Sequence, residues 1–312
     1  MRLSRIFTGI LVILFLFVAA CAPAPTGGAQ PSAIEVTDQT GGVVRLEKLP
    51  ERIISLSPAN TEILFALGLA DRIVGVTDYC DYPSEAKKKT SIGGFSTPDI
   101  EKIISLTPDL VVATTIHKDK IVPQLRQRGL PVFTLDPVTV EEVLESIALV
   151  GAVTGQGGEA SRLVSDLKQR IGKVTSQTGG LPAEKLPRTL FLVWHGPLVT
   201  GGRGTFSDDL ISRAGGRNIA SGLTGWTNVS LEKVVEASPE VMIASGGHGE
   251  GGSLSLKFLQ TEPRLKDTEA RRRGRVYAID GDLMSRPAPR LVDGLEQLAR
   301  FIHPELFGEA GR

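Results

Sequence analysis

The segment FSTPDIEKIISLTPDLVVATTIH, from Phe95 to His117, occurs twice in this chain. Its second copy, WTNVSLEKVVEASPEVMIASGGH, runs from Trp226 to His248 and aligns with the first copy without a gap. The copies lie much too far apart for a solenoid repeat, and two copies are too few for one. The duplication therefore predicts a protein with two lobes of one design.

Each copy predicts a helix followed by a buried strand. In the first copy Thr97 is a suitable N-cap, and Pro98 fits the first helical position, where its missing N–H costs no hydrogen bond. The wholly apolar run at residues 110–113 is typical of a strand covered on both faces. Since α/β folds bind ligands in loops at the carboxyl ends of such strands, we expect the ends of both copies to face a shared cleft.

The composition is that of an ordinary globular protein. The chain has 312 residues, of which 41% are hydrophobic and 22% are charged, so disorder is disfavoured and there is enough chain for two cores. Basic and acidic residues number 35 each, and this balance argues against a nucleic acid partner. The two tryptophans, Trp194 and Trp226, both stand beside loop signals, which favours a binding surface.

Residues 1–20 have the pattern of an export signal, in which Arg2 and Arg5 precede an apolar run that ends before Cys21. The run is shorter than the roughly 20 residues of a membrane span, which favours a cleaved signal. An uncleaved membrane anchor is the alternative interpretation. The VAAC motif resembles a bacterial lipobox, which implies that Cys21 is acylated after cleavage. Residues 21–33 are predicted to be a linker rich in Pro, Gly and Ala. We expect the protein to act outside the cytoplasm, anchored to the cell membrane by the lipid on Cys21.

Cys80 is the only cysteine that remains once Cys21 carries a lipid. A disulfide framework needs a second free cysteine, and a cysteine metal site needs several. Both kinds of site are therefore excluded for the mature chain.

Strand and helix signals alternate through the remaining sequence. Residues 34–153 are predicted to form an N-terminal α/β lobe, and residues 181–312 repeat most of its pattern. Between them, residues 154–180 carry apolar side chains at helical spacing and predict one long connector helix. The predicted fold class is α/β, with two similar lobes of mostly parallel sheets, one connector helix and a ligand cleft between the lobes.

Three motifs support a family resemblance: IISLSPANTEILFALG, IEKIISLTPDLVVA and SRPAPR. Together with the order of elements, they resemble the substrate-binding proteins of ABC importers for cobalamin, haem and ferric siderophores. The likeness covers roughly residues 50 to 305 and is strongest to the cobalamin-binding branch. It implies a monomeric receptor that captures cobalamin or a related corrinoid and delivers it to a membrane permease and its ATPase. No cofactor other than this ligand is implied.

The resemblance also implies roles for single residues. In the cobalamin branch, aromatic residues at the positions of Tyr79, Phe95 and Trp226 line the cleft, although position 95 is often Trp. Glutamates at the positions of Glu101 and Glu232 dock onto arginines of the permease. Each glutamate alone would be explained by its favourable place in the first turn of a helix, but the matched pair favours docking.

The physical properties of a corrinoid agree with these residues. A corrinoid is a large disc with apolar faces and an amide-rich edge, and it needs broad aromatic surfaces, which Tyr79, Phe95, Trp194 and Trp226 supply. A trianionic ferric siderophore would favour more cations than the predicted cleft loops carry. Arg286 and Arg290, the exceptions, are either cleft residues or solvated loop charges.

The histidines leave a haem-binding receptor open as an alternative. His117, His195 and His248 fit ordinary polar residues of loops, but they are also weak candidates for iron ligands, as is Tyr79. A zinc or manganese receptor would need three or four converging His and carboxylate ligands, and the sequence does not supply such a set.

An extracytoplasmic hydrolase is the alternative outside this class. The sequence contains neither a GxSxG nucleophile elbow nor a P-loop. A binding protein without enzymatic activity is therefore the expected function.

Overall fold

The N-terminal lobe is built on a parallel four-stranded sheet. A computed structural model of the chain describes residues 34–246 and 251–309, with side chains of the second range described from residue 254. The predicted signal, the linker, Cys21 and His248 lie outside these residues. The lobe contains a hairpin, β1 (Ile34–Thr37) and β2 (Val43–Leu46), and the strands β3 (Ile53–Ser55), β4 (Ile73–Val76), β5 (Leu110–Thr114) and β6 (Val132–Leu135) in the order β4-β3-β5-β6.

Helices of this lobe begin at capping residues that the sequence supplies. They are α1 (Pro58–Ala66), α2 (Ile100–Ser105), α3 (Ile121–Gln127) and α4 (Val140–Thr154). The Ser57 side chain caps α1 by accepting a hydrogen bond from the Asn60 N–H. The predicted cap of α2 at Thr97 was wrong, because Pro98 forms an antiparallel bridge with Gly93 and Asp99 caps the helix instead.

The connector is the 22-residue helix α5 (Gly157–Thr178), which lies within the predicted span 154–180. Its buried side chains, among them Leu167 and Ile171, belong to a large hydrophobic core. Arg170 fixes the exposed side of the helix by ion pairs with Asp293, at 2.5 Å, and with Glu296, at 2.8 Å. Helix α5 is thus packed along its length rather than free-standing.

The C-terminal lobe has a mixed six-stranded sheet. Its strands are β7 (Arg188–His195), β8 (Leu198–Gly201), β9 (Arg217–Asn218), β10 (Trp226–Asn228), β11 (Val241–Gly246) and β12 (Val276–Asp280), ordered β10-β8-β7-β11-β12 with β9 also beside β7. Its helices are α6 (Phe206–Arg213), α7 (Leu231–Ala237), α8 (Gly251–Thr261), α9 (Glu269–Arg272), α10 (Asp282–Ser285), α11 (Leu291–Ile302) and α12 (Pro304–Phe307).

The predicted two-lobed α/β fold is confirmed, with one difference in the second sheet. Strands β9 and β11 are parallel to β7, whereas β8 is antiparallel to both of its neighbours, β7 and β10. The short turn between β7 and β8 makes them a hairpin, and a hairpin is necessarily antiparallel. Trp226 consequently lies in strand β10 rather than in the predicted loop.

One hydrophobic core joins the two lobes. It contains Leu64 and Ile147 of the first lobe, Leu167 of the connector, and Leu210 and Leu295 of the second lobe. Each lobe also has a smaller core on the other face of its sheet. Among the described helices, none is both long enough and apolar enough to span a bilayer.

Candidate functional site

A cavity of about 890 Å³ lies between residues of the two lobes. Tyr79, Phe95 and Ile116 line it from the first lobe, and Trp226 and Arg286 line it from the second. The structure thus brings four of the predicted site residues into one hollow. A volume of this size suits a ligand of several rings rather than a single ion.

The first lobe supplies most of the wall, and it does so at the carboxyl ends of its parallel strands. Thr114 ends β5 and Thr115 follows it, Asp136 follows β6, and Ser57 and Asn60 lie at the start of α1 after β3. These neighbouring strands are parallel, so their carboxyl ends share one edge of the sheet. This is the edge at which α/β sheets bind ligands.

The aromatic side chains at the cavity are accessible. Tyr79 is 61% exposed and Trp226 is 47% exposed, which is a large apolar area to leave in contact with water. Phe95 is half-buried, because one side of its ring packs edge-on against His117 at a centroid distance of 5.5 Å. These rings offer apolar faces to a flat ligand.

The position of Trp226 depends on a glycine in the neighbouring strand. Trp226 pairs with Gly201, and a Cβ added at Gly201 would lie 3.0 Å from the Trp226 ring and 2.0 Å from the Ser207 hydroxyl oxygen. A larger residue at position 201 therefore cannot keep both neighbours in place.

Trp194 lies beside the cavity region without lining the cavity itself. It is 41% exposed, and its Nε1 donates a hydrogen bond of 2.9 Å to the Gly196 carbonyl. Val199 stands opposite Trp194 on one side and opposite Asn228 on the other. Since residues two apart in a strand point to the same face, Trp194 and Trp226 share one face of the sheet.

His117 is fully buried, and both of its ring nitrogens are hydrogen-bonded. Nδ1 accepts from the Thr114 N–H at 3.2 Å, and Nε2 lies 2.7 Å from the Phe95 carbonyl oxygen. Burial lowers the pKa of the His117 imidazole below its ordinary value, so the ring is neutral near pH 7. With both nitrogens engaged, the ring has none free to hold iron.

The other histidines do not form a metal centre in the described part of the chain. The Nδ1 of His195 lies 3.4 Å from the Ser255 hydroxyl, and its ring packs between Trp194 and Phe258. His248 falls outside the described residues. Residues 34–246 and 251–309 contain no group of three His, Cys, Asp or Glu placed to hold a metal ion.

Arg286 and Arg290 are largely buried in ion pairs rather than solvated. Arg290 makes two parallel hydrogen bonds to Glu62, of 2.8 and 2.6 Å, and its guanidinium lies over the Tyr82 ring at 3.8 Å. The hydrogen bonds that Arg290 donates to Glu62 raise the pKa of Arg290 above its ordinary value. Arg286 contacts Asp81 at 2.7 Å. Since Glu62 belongs to the first lobe, these pairs cross between the lobes.

The charge at the cavity is not positive. Arg286 also pairs with Asp282, at 2.8 Å, and Arg290 lies 3.8 Å from Asp280, so the two arginines are matched by four carboxylates, those of Glu62, Asp81, Asp280 and Asp282. Among residues 34–246 and 254–309, the charged side chains that line the cavity are Asp136, Asp282 and Arg286, two acidic and one basic. Such a surface repels a polyanion and accepts a neutral ligand.

Comparison with known proteins identifies the family. A family model described as periplasmic binding protein matches residues 53–283. The chain belongs to the periplasmic binding protein family. This periplasmic binding protein is 31% identical over 284 residues to the ABC transporter substrate-binding lipoprotein YvrC of Bacillus subtilis, covering 88% of this chain and 87% of that protein.

Solved structures share the fold of this periplasmic binding protein. The vitamin B12 binding protein BtuF of Vibrio cholerae is similar with a TM-score of 0.70 and 28% identity, over 81% of this chain and 96% of that one. The haem-binding protein RhuT of Roseiflexus sp. RS-1 is similar with a TM-score of 0.72 and 28% identity, over 82% and 99%. The fold alone therefore does not distinguish the two ligands.

In this periplasmic binding protein, Glu101 and Glu232 occupy equivalent exposed positions. Each lies in the first turn of its helix, α2 or α7, and each side chain is 77% exposed. Arg128 approaches Glu101 at 3.6 Å, and Arg264 approaches Glu232 at 3.3 Å. Ion pairs this exposed are weak and exchange easily for other partners.

Several residues at the site were not anticipated from the sequence. Ile116 is exposed in the cavity wall, and its place directly before His117 at the end of a repeat copy is the signal that could have indicated it. Asp136 follows the strand that corresponds to β12, so the repeat could have indicated it too. Glu62 has no comparable signal, because its partners lie more than two hundred residues away along the chain.

Proposed function

We propose that this protein is the substrate-binding lipoprotein of an ABC importer and that it captures cobalamin or a related corrinoid. It acts as a monomer outside the cytoplasm and delivers the ligand to a membrane permease that is coupled to an ATPase. The observation that carries this proposal is the cavity of about 890 Å³ between the lobes, with Tyr79, Phe95 and Trp226 in its wall.

The charge of the cavity favours a corrinoid over a ferric siderophore. A trianionic siderophore would meet two carboxylates and one arginine that is already ion-paired. A corrinoid presents apolar faces and neutral amides, which match aromatic rings and scattered polar groups. Tyr79, Phe95 and Trp226 would contact its faces. Trp194 would contact a part of the ligand that extends beyond the cavity.

Arg286 and Arg290 would act at the lobe boundary beside the ligand. Their ion pairs with the first lobe hold the two sides of the cavity together. In this role Arg286 forms part of the cavity wall while its charge stays balanced by carboxylates.

Ligand titration tests the proposal directly. The chain from residue 22 onward, purified without the lipid anchor, is titrated separately with cyanocobalamin, haemin and a tris-catecholate ferric siderophore, with absorption and tryptophan fluorescence as readouts. We expect cyanocobalamin to quench the fluorescence, and the siderophore to have no effect. Trp226→Ala should weaken the binding by about tenfold or more, the loss typical of a central aromatic contact. Quenching by haemin alone, with a Soret shift, would overturn the corrinoid assignment.

Haem is the second candidate ligand, and Tyr79 is the observation that favours it. Its phenol group is exposed at the cavity, and a phenolate can hold haem iron. Tyr79→Phe separates the two ligands, because it keeps the aromatic ring and removes only the oxygen. Haem coordination would lose its Soret shift in this variant, whereas corrinoid binding would be nearly unchanged.

The N-terminal segment would hold the receptor at the membrane. We propose that residues 1–20 are removed, that a lipid is attached to Cys21, and that residues 21–33 form the tether. Cys21→Ser should then move the protein from the membrane fraction to the soluble fraction of cells. Retention of this variant in the membrane would contradict lipid anchoring.

A further inference from the structure

We propose that His117 is a positioning residue that holds Phe95 in the wall of the cavity. The His117 ring does not line the cavity, so that of these two residues only Phe95 would contact a ligand. The consequence for affinity rests on the proposed function, but the hold on Phe95 is a property of the ligand-free protein.

The hydrogen bonds of His117 determine its tautomer. The Thr114 N–H can only donate, so Nδ1 of the ring must be the acceptor of that bond. The proton of the neutral ring is therefore on Nε2, which donates it to the Phe95 carbonyl oxygen at 2.7 Å. This bond joins the end of β5 to the backbone of Phe95.

The bond acts near the tip of the Phe95 loop. The base of the loop is closed by the bridge between Gly93 and Pro98 and by the Asp99 N–H, which donates to the Ile92 carbonyl at 2.8 Å. Ser96, next to Phe95, is exposed and lines the cavity. The Nε2 bond therefore restrains a part of the backbone that projects beyond the closed base.

The ring contact adds a second restraint. The Phe95 and His117 rings meet edge to face, with an interplanar angle of 86°, an arrangement that aromatic pairs favour. The imidazole therefore supports the Phe95 ring as well as its carbonyl. Removing it would leave a void behind the ring, into which the ring could turn away from the cavity.

Two substitutions separate the two hydrogen bonds of His117. His117→Gln places an amide N–H near the position of Nε2 and retains the bond to Phe95. His117→Asn places an amide oxygen near the position of Nδ1 and retains only the bond from Thr114. If His117 only filled space in the core, the two variants would affect the Phe95 loop equally. If His117 positions Phe95, only His117→Asn should release the loop, because only this variant loses the bond to the Phe95 carbonyl.

The reporter is a tryptophan at position 95 in an otherwise tryptophan-free chain, carrying Phe95→Trp, Trp194→Phe and Trp226→Phe. Without ligand, acrylamide should quench this tryptophan more strongly when His117→Asn is added, and not when His117→Gln is added. In the chain that keeps Phe95, Trp194 and Trp226, His117→Asn should weaken cyanocobalamin binding by about fivefold, the effect of one net hydrogen bond. His117→Gln should weaken this binding by less. Equal quenching in the two variants would overturn the proposal.

A measurement on the unsubstituted protein remains decisive if a variant fails to fold. Nitrogen-15 NMR of the histidine rings should show one neutral imidazole protonated at Nε2, with a slowly exchanging proton, and this signal should be missing from either His117 variant that folds. A ring protonated at Nδ1 would overturn the proposal. Failure of all three ligands to bind, with the quenching difference intact, would refute the proposed function and leave the role of His117 standing.

Discussion

Gly201 has no side chain, and this leaves room for the Trp226 ring in the cavity wall. The Trp226 ring and the Ser207 hydroxyl both occupy the space that a Cβ at position 201 would need. Gly201→Ala should therefore lower the free energy of unfolding by about 1–3 kcal/mol, the usual effect of overpacking a close contact. It should also displace Trp226 and shift its fluorescence.

Gly222→Ala is the matched control, because a Cβ at position 222 meets nothing within 4 Å. Urea unfolding followed by circular dichroism measures both variants. The control should stay within about 0.5 kcal/mol of the parent protein, as surface substitutions generally do. An equal loss of stability in the two variants would contradict the argument from the close contact.

His117 also predicts a dependence of stability on pH. Burial holds its folded-state pKa below the value of about 6.5 for an unfolded chain. As the pH falls, the unfolded chain takes up the proton first. The stability contributed by the neutral ring is therefore present above about pH 6.5 and is lost as the pH falls through the folded-state pKa.

Urea unfolding at a series of pH values, with His117→Gln as reference, measures this contribution. Because the glutamine does not titrate, the advantage of the parent protein over the variant should shrink as the medium becomes acidic. Parallel curves for the two proteins would show that His117 does not titrate with unfolding.

At the scale of elements, helices α2 and α7 carry the proposed docking pair. Their first turns present Glu101 and Glu232 at 77% exposure, and each partner arginine is itself exposed and easily replaced. In proteoliposomes with the cognate permease and ATPase, replacing both glutamates by alanine should weaken docking by about tenfold or more, while leaving ligand binding unchanged. Glu236→Ala, at an exposed position one turn further along α7, is the control and should dock normally. Loss of docking in the control alone would place the contact elsewhere.

Helices and strands were predictable where the signal is local. The repeat gave the helix-strand order of both lobes, and the apolar periodicity gave α5, since both depend on neighbouring residues. The direction of β8 was not predictable, because a four-residue strand has the same pattern in either direction. Asp99 rather than Thr97 caps α2 because Pro98 is held extended by a bridge to Gly93, which no local propensity indicates.

For the candidate site, the sequence predicted which loops lie at the cleft but not the contacts between their side chains. Parallel strands bring their carboxyl ends to one edge, so the repeat placed Phe95 and His117 near a cleft without any knowledge of contacts. It could not show that His117 is buried behind Phe95, since burial depends on packing in three dimensions. The pairing of Arg290 with Glu62 joins residues far apart in the chain and has no signature in either segment.

At the scale of the whole molecule, Glu62 is the carboxylate that both arginines of the lobe boundary share. Its side chain is only 2% exposed and pairs with both arginines of the second lobe. Glu62→Gln would leave two buried guanidinium groups short of a charge partner. The free energy of unfolding should fall by about 3–5 kcal/mol, the usual effect of removing one member of a buried pair. Glu145→Gln, at an exposed position on α4, should change it little; equal losses would show that the inter-lobe pair adds no special stability.

The shared core limits how far the lobes can move. Core side chains from α4, α5, α6 and α11 pack together across the lobe boundary, and Asp209 of the second lobe accepts a hydrogen bond of 3.1 Å from the backbone of Val140 in the first. A hinge motion would have to separate these contacts, and close-packed interfaces do not deform gradually. Small-angle scattering should therefore show a radius of gyration that changes by less than about 1 Å when a saturating ligand is added. A contraction of several ångströms would mean that the lobes close on the ligand in spite of the common core.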